Sequence, residues 1–116
     1  MAGAVQEPFR RVGPQEAQQL IEGGATVIDV REPKELVQDG RLADSRLVPL
    51  NSFLMNPRQH LSQDNVVFIC KVGQRSAIAC EMAAAVGMTQ LYNLEGGIEA
   101  WKKLGLPVEY PQTAQG

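Results

Sequence analysis

The stretch that decides the fold of this chain reads Val66-Val67-Phe68-Ile69-Cys70-Lys71-Val72-Gly73-Gln74-Arg75-Ser76. Its first four residues are apolar and rich in β-branched side chains, which predicts a buried strand ending just before Cys70. The alanine-rich run 77–86, closed by Gly87, predicts the helix that follows. Cys70 is therefore expected at the carboxyl end of a strand, where α/β sheets place their ligands.

This position favours the thiolate form of Cys70, which is the nucleophilic form of a cysteine. The free N–H groups and the dipole of a helix N-terminus attract negative charge. Lys71 and Arg75 add two cations close by in the sequence, and Gly73 allows the backbone to curl with its N–H groups turned inward. The pattern predicts a nucleophilic cysteine. A buried, unreactive cysteine behind a strand is the structural alternative.

Predicted strands and helices alternate along the rest of the chain. The segments 9–12, 25–30, 46–50, 66–69 and 90–94 are predicted strands, and 15–22, 33–38 and 97–104 are predicted helices. The segment between Leu50 and Val66 is predicted to be irregular. Because the strands are apolar runs, they predict a mostly parallel five-stranded sheet with helices on both faces, an α/β fold.

Composition and charge narrow the class of protein. The 116 residues are 44% hydrophobic and 21% charged, which fits one globular domain. A net charge of −2, with no basic run, argues against nucleic-acid binding. No apolar run reaches membrane-spanning length, and residues 1–10 lack a signal-peptide core. We expect a cytoplasmic protein that binds neither nucleic acid nor membrane.

The cysteines and the single histidine do not predict a metal site. The chain has two cysteines and no Cys-x-x-Cys pair, whereas a structural zinc needs four ligands. A disulfide between Cys70 and Cys80 would join a strand end to the middle of the next helix, a geometry that disfavours the bond. We expect two free thiols, with Cys80 in the core, and neither metal nor cofactor.

The spacing Cys-x-x-Gly-x-Arg-Ser from Cys70 to Ser76 resembles the active-site loop of the rhodanese-like sulfurtransferases. Three further segments resemble motifs of this family in the same order: Val27 to Glu32, Val48 to Leu50, and Leu94 to Trp101 with Gly105 to Val108 after it. The resemblance spans about residues 9–109. It implies a single five-stranded rhodanese-like domain there, with a flexible N-terminus over 1–8 and a flexible tail over 110–116.

By this resemblance the chain would be a thiosulfate sulfurtransferase that works in two steps. Cys70 would take sulfur from a small anionic donor such as thiosulfate and hold it as a persulfide; cyanide or a thiol would then accept it. The resemblance places the persulfide in a loop made of Lys71, Val72, Gly73, Gln74, Arg75 and Ser76. Arg75 is predicted to contact the donor, whereas Lys71 either steers the donor or simply faces solvent.

Asp29 and Arg31 are a further candidate pair. They end the second predicted strand, on the same sheet edge as Cys70, and the resemblance implies that they support the active site. From the residues alone, an ion pair or a helix cap is favoured over direct chemistry. One segment departs from the family pattern: Gly40-Arg41-Leu42-Ala43-Asp44-Ser45 stands where the family commonly has Gly-His-Ile-Pro-Gly-Ala, which predicts an altered turn.

Two other functions use related chemistry. Phosphatases and arsenate reductases of the same fold carry five residues between cysteine and arginine, whereas four residues separate Cys70 from Arg75. The shorter loop argues against them. A persulfide carrier or docking module that delivers sulfur to one protein partner would have the same loop as an enzyme, so that alternative stays open.

Overall fold

A computed structural model describes residues 6–111, in which five strands form one sheet in the order β1-β5-β4-β2-β3. The strands are β1 (Arg10–Val12), β2 (Thr26–Asp29), β3 (Arg46–Leu47), β4 (Val66–Ile69) and β5 (Leu91–Leu94). All four pairings between neighbouring strands are parallel, which confirms the predicted α/β fold class. The flexibility predicted for residues 1–5 and 112–116 falls outside the described residues, and the predicted domain limits stay predictions.

Among residues 6–111, five α-helices connect and cover these strands. They are α1 (Pro14–Glu22), α2 (Pro33–Asp39), α3 (Leu50–Met55), α4 (Gln74–Ala85) and α5 (Gly97–Lys103), and a short 3₁₀ helix spans Pro57–His60. Proline opens both α1 and α2, where its missing N–H group leaves no helical hydrogen bond unmade. None of the described helices is long and apolar enough to cross a membrane.

The central strand β4 is buried on both faces and separates two apolar layers. Successive side chains of a strand point to opposite faces, so Phe68 packs in one layer and Val67 in the other. The Phe68 layer is covered by α3 and α4, and the Val67 layer contains Trp101 of α5. Cys70 shares the layer of Phe68, which places its side chain on the face covered by α4.

The structure corrects the predicted elements at three places. The third strand ends at Leu47, and the segment predicted to be irregular begins with α3 at Leu50. Helix α3 buries Phe53, whose ring packs edge-on against Phe68 with the centroids 5.3 Å apart. Helix α4 begins at Gln74 rather than at residue 77, so the last residues of the Cys70 loop form its first turn.

The altered turn before β3 closes without the glycine and proline that the family commonly has there. Asp44 takes a left-handed conformation with φ 63°, which aspartate tolerates better than most residues. The N–H and hydroxyl groups of Ser45 both donate to the carbonyl of Leu42, at 3.3 and 2.9 Å. Arg41 forms a two-way backbone bridge with Glu109, with both N···O distances at 2.8 Å.

Candidate active site

Cys70 follows β4 directly and lies at the N-terminus of α4, as its sequence predicts. The residue is 1% exposed. Its sulfur accepts hydrogen bonds from the backbone N–H groups of Gly73 at 3.2 Å and Ser76 at 3.3 Å. The hydroxyl of Ser76 also lies 3.3 Å from the sulfur. The side chain therefore ends inside a turn of backbone donors, an environment suited to a negatively charged sulfur.

Helix α5 sets the orientation of this turn. The N–H group of Ile98 donates to the carbonyl of Cys70 at 2.9 Å, and that of Glu99 donates to the carbonyl of Lys71 at 3.2 Å. These two carbonyls therefore bind N–H groups of α5. Within the loop, four backbone N–H groups have no acceptor among residues 6–111, those of Lys71, Val72, Gln74 and Arg75. A run of unpaired N–H groups at a helix N-terminus is a ready-made anion site.

Gly97 allows α5 to come this close to the loop. It has φ +63°, and a Cβ atom there would lie 2.3 Å from the Lys71 carbonyl oxygen and 2.5 Å from that of Cys70. Gly73 at the start of α4 also has a left-handed backbone, with φ +99°. The loop is therefore built on two positions that favour glycine for conformational reasons.

Arg75 points its fork at a carboxylate of the protein. Its two terminal nitrogens donate to the two carboxylate oxygens of Glu35 in α2, each at 2.9 Å. The hydrogen bonds from Arg75 lower the pKa of Glu35 from an ordinary 4.5 to about 2, although partial burial opposes the shift. The backbone N–H of Glu32 also donates to the Glu35 carboxylate, at 2.9 Å. The Arg75–Glu35 ion pair connects the loop to α2. Since both terminal nitrogens of Arg75 already bind Glu35, contact between Arg75 and the donor stays a prediction.

The Arg75–Glu35 pair is expected to make stability depend on pH. The pKa of Glu35 is depressed by folding, so the pair stabilises the protein above about pH 4.5 and loses that contribution as pH falls toward about 2. Glu35→Gln should lower the free energy of unfolding at neutral pH by about 1–2 kcal/mol, near the lower end for a charge-assisted contact, since the Arg75 side chain is 34% exposed. Urea unfolding of both proteins between neutral pH and about pH 3 measures the difference.

The difference between wild type and Glu35→Gln should shrink in acid. Glu81→Gln on the exposed face of α4 serves as the control for loss of a carboxylate. A difference that stays constant down to about pH 3 would contradict the assignment of the pair.

The remaining predicted loop residues lie at the surface. Lys71, Val72 and Gln74 are all exposed. The ammonium group of Lys71 lies 3.8 Å from the Glu99 carboxylate, a long contact between two half-exposed side chains. Such surface pairs hold each other weakly. Lys71 is therefore a more available cation than Arg75, whose guanidinium is engaged by Glu35.

Asp29 and Arg31 form an ion pair that is fully buried. Arg31 donates to the two oxygens of Asp29 at 2.9 and 2.7 Å, and a further hydrogen bond at 2.8 Å reaches the carbonyl of Gly40. Neither side chain makes a hydrogen bond to Cys70 within the described part of the chain. The pair connects the end of β2 to the turn before β3, next to the strand that leads into Cys70.

Asn93 was not predicted, and it lies fully buried behind the loop. It comes from β5, the neighbour of β4. Its amide nitrogen donates to the carbonyl of Gly73 at 3.0 Å, and its amide oxygen accepts the hydroxyl of Ser76 at 2.5 Å. Glu35 was missed in the same way. Neither residue lies in a sequence motif that indicates a contact with the loop. The spacing of Glu32 and Glu35 at the start of α2 is typical of a capping box, and it indicates only a role for Glu35 within its own helix.

The second cysteine lies apart from this chemistry. Cys80 is free, as is Cys70, and its side chain is fully buried in the core. Burial raises the pKa of the Cys80 thiol well above its ordinary value, which keeps it protonated and unreactive.

The family model of the rhodanese-like domain matches residues 13–104, most of the chain and all of the loop. The chain belongs to the rhodanese-like domain family. The solved structure of a rhodanese-related protein from Thermoplasma volcanium superposes with a TM-score of 0.74 at 36% identity, covering 85% of this chain and 96% of that one. The fold predicted from the loop motif is therefore confirmed.

Two curated relatives of this rhodanese-like domain carry functional names. The thiosulfate sulfurtransferase GlpE of Ectopseudomonas mendocina is 34% identical over 110 residues, 93% of this chain and 94% of the relative. A sulfurtransferase of Allochromatium vinosum is 33% identical over 86 residues, 74% of this chain and 79% of the relative. The family and these relatives support sulfurtransferase activity in general.

Proposed function

We propose that this rhodanese-like domain is a thiosulfate sulfurtransferase that carries the transferred sulfur as a persulfide on Cys70. The observation that supports this most is the pattern of backbone donors around the sulfur. Two N–H groups contact the Cys70 sulfur, and four more in the same loop lack an acceptor among residues 6–111. Those groups can hold the charge of a terminal sulfur atom as it forms.

The first step is an attack of the Cys70 thiolate on the outer sulfur of thiosulfate. A sulfur–sulfur bond forms to Cys70 while the sulfur–sulfur bond of the donor breaks. Sulfite leaves with the bonding electron pair, and the negative charge of the thiolate moves to the terminal sulfur of the persulfide. Since the thiolate is the attacking form, this step needs no general base.

The second step returns Cys70 to its thiolate form. The carbon atom of cyanide, or the sulfur of a thiolate, attacks the terminal sulfur of the persulfide. The bond between the two persulfide sulfurs breaks, and its electrons stay on Cys70. The products are thiocyanate, or a persulfide of the accepting thiol, and the free enzyme. Each half-reaction can be followed separately because the loaded enzyme is a covalent intermediate.

Lys71 is proposed to attract the anionic donor. Its side chain is half-exposed at the loop, and its only described carboxylate neighbour, Glu99, lies at 3.8 Å. Attraction by an exposed cation acts through the field at the mouth of a site and weakens as salt screens it. The Arg75 charge is balanced by Glu35, which leaves Lys71 as the more available cation of the loop. Since thiosulfate carries two negative charges, we expect Lys71 to affect the donor step more than the acceptor step.

Lys71→Ala is expected to slow loading by thiosulfate about two- to five-fold at low salt, with a smaller loss at high salt. Transfer from the persulfide to cyanide should change less, since the attacking cyanide carries one negative charge and thiosulfate carries two. Single-turnover measurement of both half-reactions at two salt concentrations separates the effects. Lys103→Ala, at the other end of α5, makes the same change in net charge as a control. Equal losses in both half-reactions would contradict steering by Lys71.

Thiocyanate production from thiosulfate and cyanide tests the proposed function. An enzyme should release sulfite and thiocyanate in equal amounts over many turnovers. A persulfide that forms on Cys70, but leaves only when a protein acceptor is added, would favour the carrier function instead. Failure to form any persulfide with thiosulfate would overturn thiosulfate as the donor.

A further inference from the structure

The backbone and the side chain of Arg75 face different partners. Its backbone N–H group is one of the four in the loop that have no acceptor among residues 6–111. Its side chain turns toward α2, where each terminal nitrogen donates to one carboxylate oxygen of Glu35 at 2.9 Å. The guanidinium group is therefore bound to an anion of the protein before any donor arrives.

The ion pair leaves part of the guanidinium group free. A guanidinium group has five N–H groups, and the Glu35 carboxylate accepts two of them. The Arg75 side chain is 34% exposed, whereas that of Glu35 is 16% exposed. The backbone N–H group of Glu32 also donates to the Glu35 carboxylate at 2.9 Å, which holds this carboxylate in place. An oxyanion that reaches Arg75 therefore shares its charge with Glu35.

The charges of Arg75 and Cys70 act on each other. The hydrogen bonds to Glu35 raise the pKa of Arg75 above its ordinary value, burial opposes this shift, and the negative charge of the Cys70 thiolate adds to it. An anion bound at the Cys70 sulfur thus lies within the field of the guanidinium group. It also lies within the field of the Glu35 carboxylate, which repels it.

We propose that Glu35 is a specificity-determining residue that competes with the oxyanion end of the sulfur donor for the charge of Arg75, and so keeps the affinity of the loop for oxyanions low. Thiosulfate and the product sulfite both carry negatively charged oxygens, so a guanidinium group free of Glu35 would bind the two alike. Such shared binding does not speed the reaction of a saturated enzyme, and it slows the departure of sulfite.

The competition leaves the donor to be recognised at its outer sulfur, by the N–H groups around Cys70. The inference rests on the proposed function in placing an oxyanion donor at this loop. It adds a residue of α2 to the groups that decide how tightly the donor binds.

Protection of Cys70 by anions without a transferable sulfur tests the inference apart from sulfur transfer. Sulfate, a dianion, is titrated against the rate at which iodoacetamide alkylates Cys70, at fixed pH and ionic strength. Each variant is compared with itself in the absence of sulfate, so differences in the reactivity of Cys70 cancel. Glu35→Gln should lower the sulfate concentration that halves the rate by about three- to ten-fold.

A monoanion of similar shape, methanesulfonate, tests whether charge carries the effect. Electrostatic free energy is proportional to the charge of the bound anion, so Glu35→Gln should improve binding of methanesulfonate less than binding of sulfate. An equal gain for both anions would overturn the competition for charge. An unchanged or weaker affinity for sulfate would overturn it as well, because Glu35 would then only hold the loop in shape.

The double variant Glu35→Gln/Arg75→Gln removes both partners and keeps the net charge of the wild type. Because Glu35 is proposed to act through Arg75, the gain in sulfate affinity should disappear in this variant. A gain that persists would overturn the competition for the guanidinium group. Glu81→Gln, on the exposed face of α4, changes the net charge as Glu35→Gln does and should leave sulfate affinity unchanged. Urea unfolding checks that each variant is folded under the assay conditions.

The donor half-reaction gives a readout that a merely structural role would not produce. In Glu35→Gln the thiosulfate concentration at half the maximal loading rate should fall about three- to ten-fold, whereas the loading rate at saturation should change less than about two-fold. A loop that has lost its shape would lose rate at saturation instead. A fall in the saturated rate with no gain in affinity would overturn the proposal.

These experiments keep the inference distinct from the proposed function. Failure of the wild type to load with thiosulfate would overturn thiosulfate as the donor, while tighter binding of sulfate by Glu35→Gln would still support the competition at Arg75. Normal loading by the wild type, together with an unchanged sulfate affinity in Glu35→Gln, would overturn the inference alone.

Discussion

Replacing Cys70 with serine is expected to reduce sulfur transfer from thiosulfate to cyanide by roughly 10⁴-fold or more, the scale on which loss of a covalent nucleophile acts. A serine hydroxyl does not ionise near neutral pH and forms no stable sulfur adduct. The variant should still fold, because serine can accept the same hydrogen bonds from Gly73 and Ser76. Thiocyanate formation measures the loss, and urea unfolding checks the fold.

Cys80→Ala is the matched control for the loss of a thiol. Cys80 lies fully buried in the core, where burial raises the pKa of its thiol. The variant should lose some stability through the small cavity it leaves, and it should retain its turnover. Activity that survives in Cys70→Ser would show that Cys70 is not the nucleophile. Activity that disappears in a folded Cys80→Ala would show that Cys80 is needed for the chemistry.

Gly97→Ala is expected to shift the backbone of the Cys70 loop and to slow the thiosulfate half-reaction. The new Cβ would lie 2.3 Å from the carbonyl oxygen of Lys71, a contact that only a shift of backbone can relieve. Such a shift would move the carbonyls that α5 holds, and with them the donors around Cys70. A misplacement of about 1 Å can cost about 100-fold in rate, and we expect at least that loss in the thiosulfate half-reaction. Stability should fall by about 2–4 kcal/mol.

Gly105→Ala separates crowding from backbone strain. Gly105 also has a left-handed backbone, with φ +76°, but a Cβ there would meet no atom within 4 Å. Both substitutions strain the backbone by about 1 kcal/mol, whereas only Gly97→Ala pushes on the loop. Rapid-quench measurement of persulfide formation in both variants makes the comparison. Similar activities would show that the close approach of α5 to the loop does not matter for catalysis.

The chain around Cys70 was predictable because its signals are local. An apolar run, a cysteine and an alanine-rich helix follow one another within about twenty residues, and their periodicities differ. The parallel sheet followed from strands that are apolar throughout. Helix α3 was missed because it has six residues, too few for a helical period to stand out.

The partners of the loop were not predictable from local pattern. Glu35 lies 40 residues before Arg75, and Asn93 lies 17 residues after Ser76. Their contacts depend on the strand order, which places β5 beside β4 with Asn93 opposite Phe68. The sequence predicted contact between Arg75 and the donor because a guanidinium group binds oxyanions. Only the tertiary structure reveals that the Glu35 carboxylate already binds this guanidinium group. The contact of Gly97 with the loop arises from the packing of α5, which no local pattern indicates.

The most direct test of a persulfide on Cys70 is the mass of the protein after incubation with thiosulfate and removal of excess donor. The wild type should gain the mass of one sulfur atom, located on the peptide that contains Cys70, and should lose it when cyanide is added. Cys80→Ala should behave in the same way, and Cys70→Ser should gain nothing. Sulfur on the Cys80 peptide, or sulfur gained by Cys70→Ser, would contradict the account.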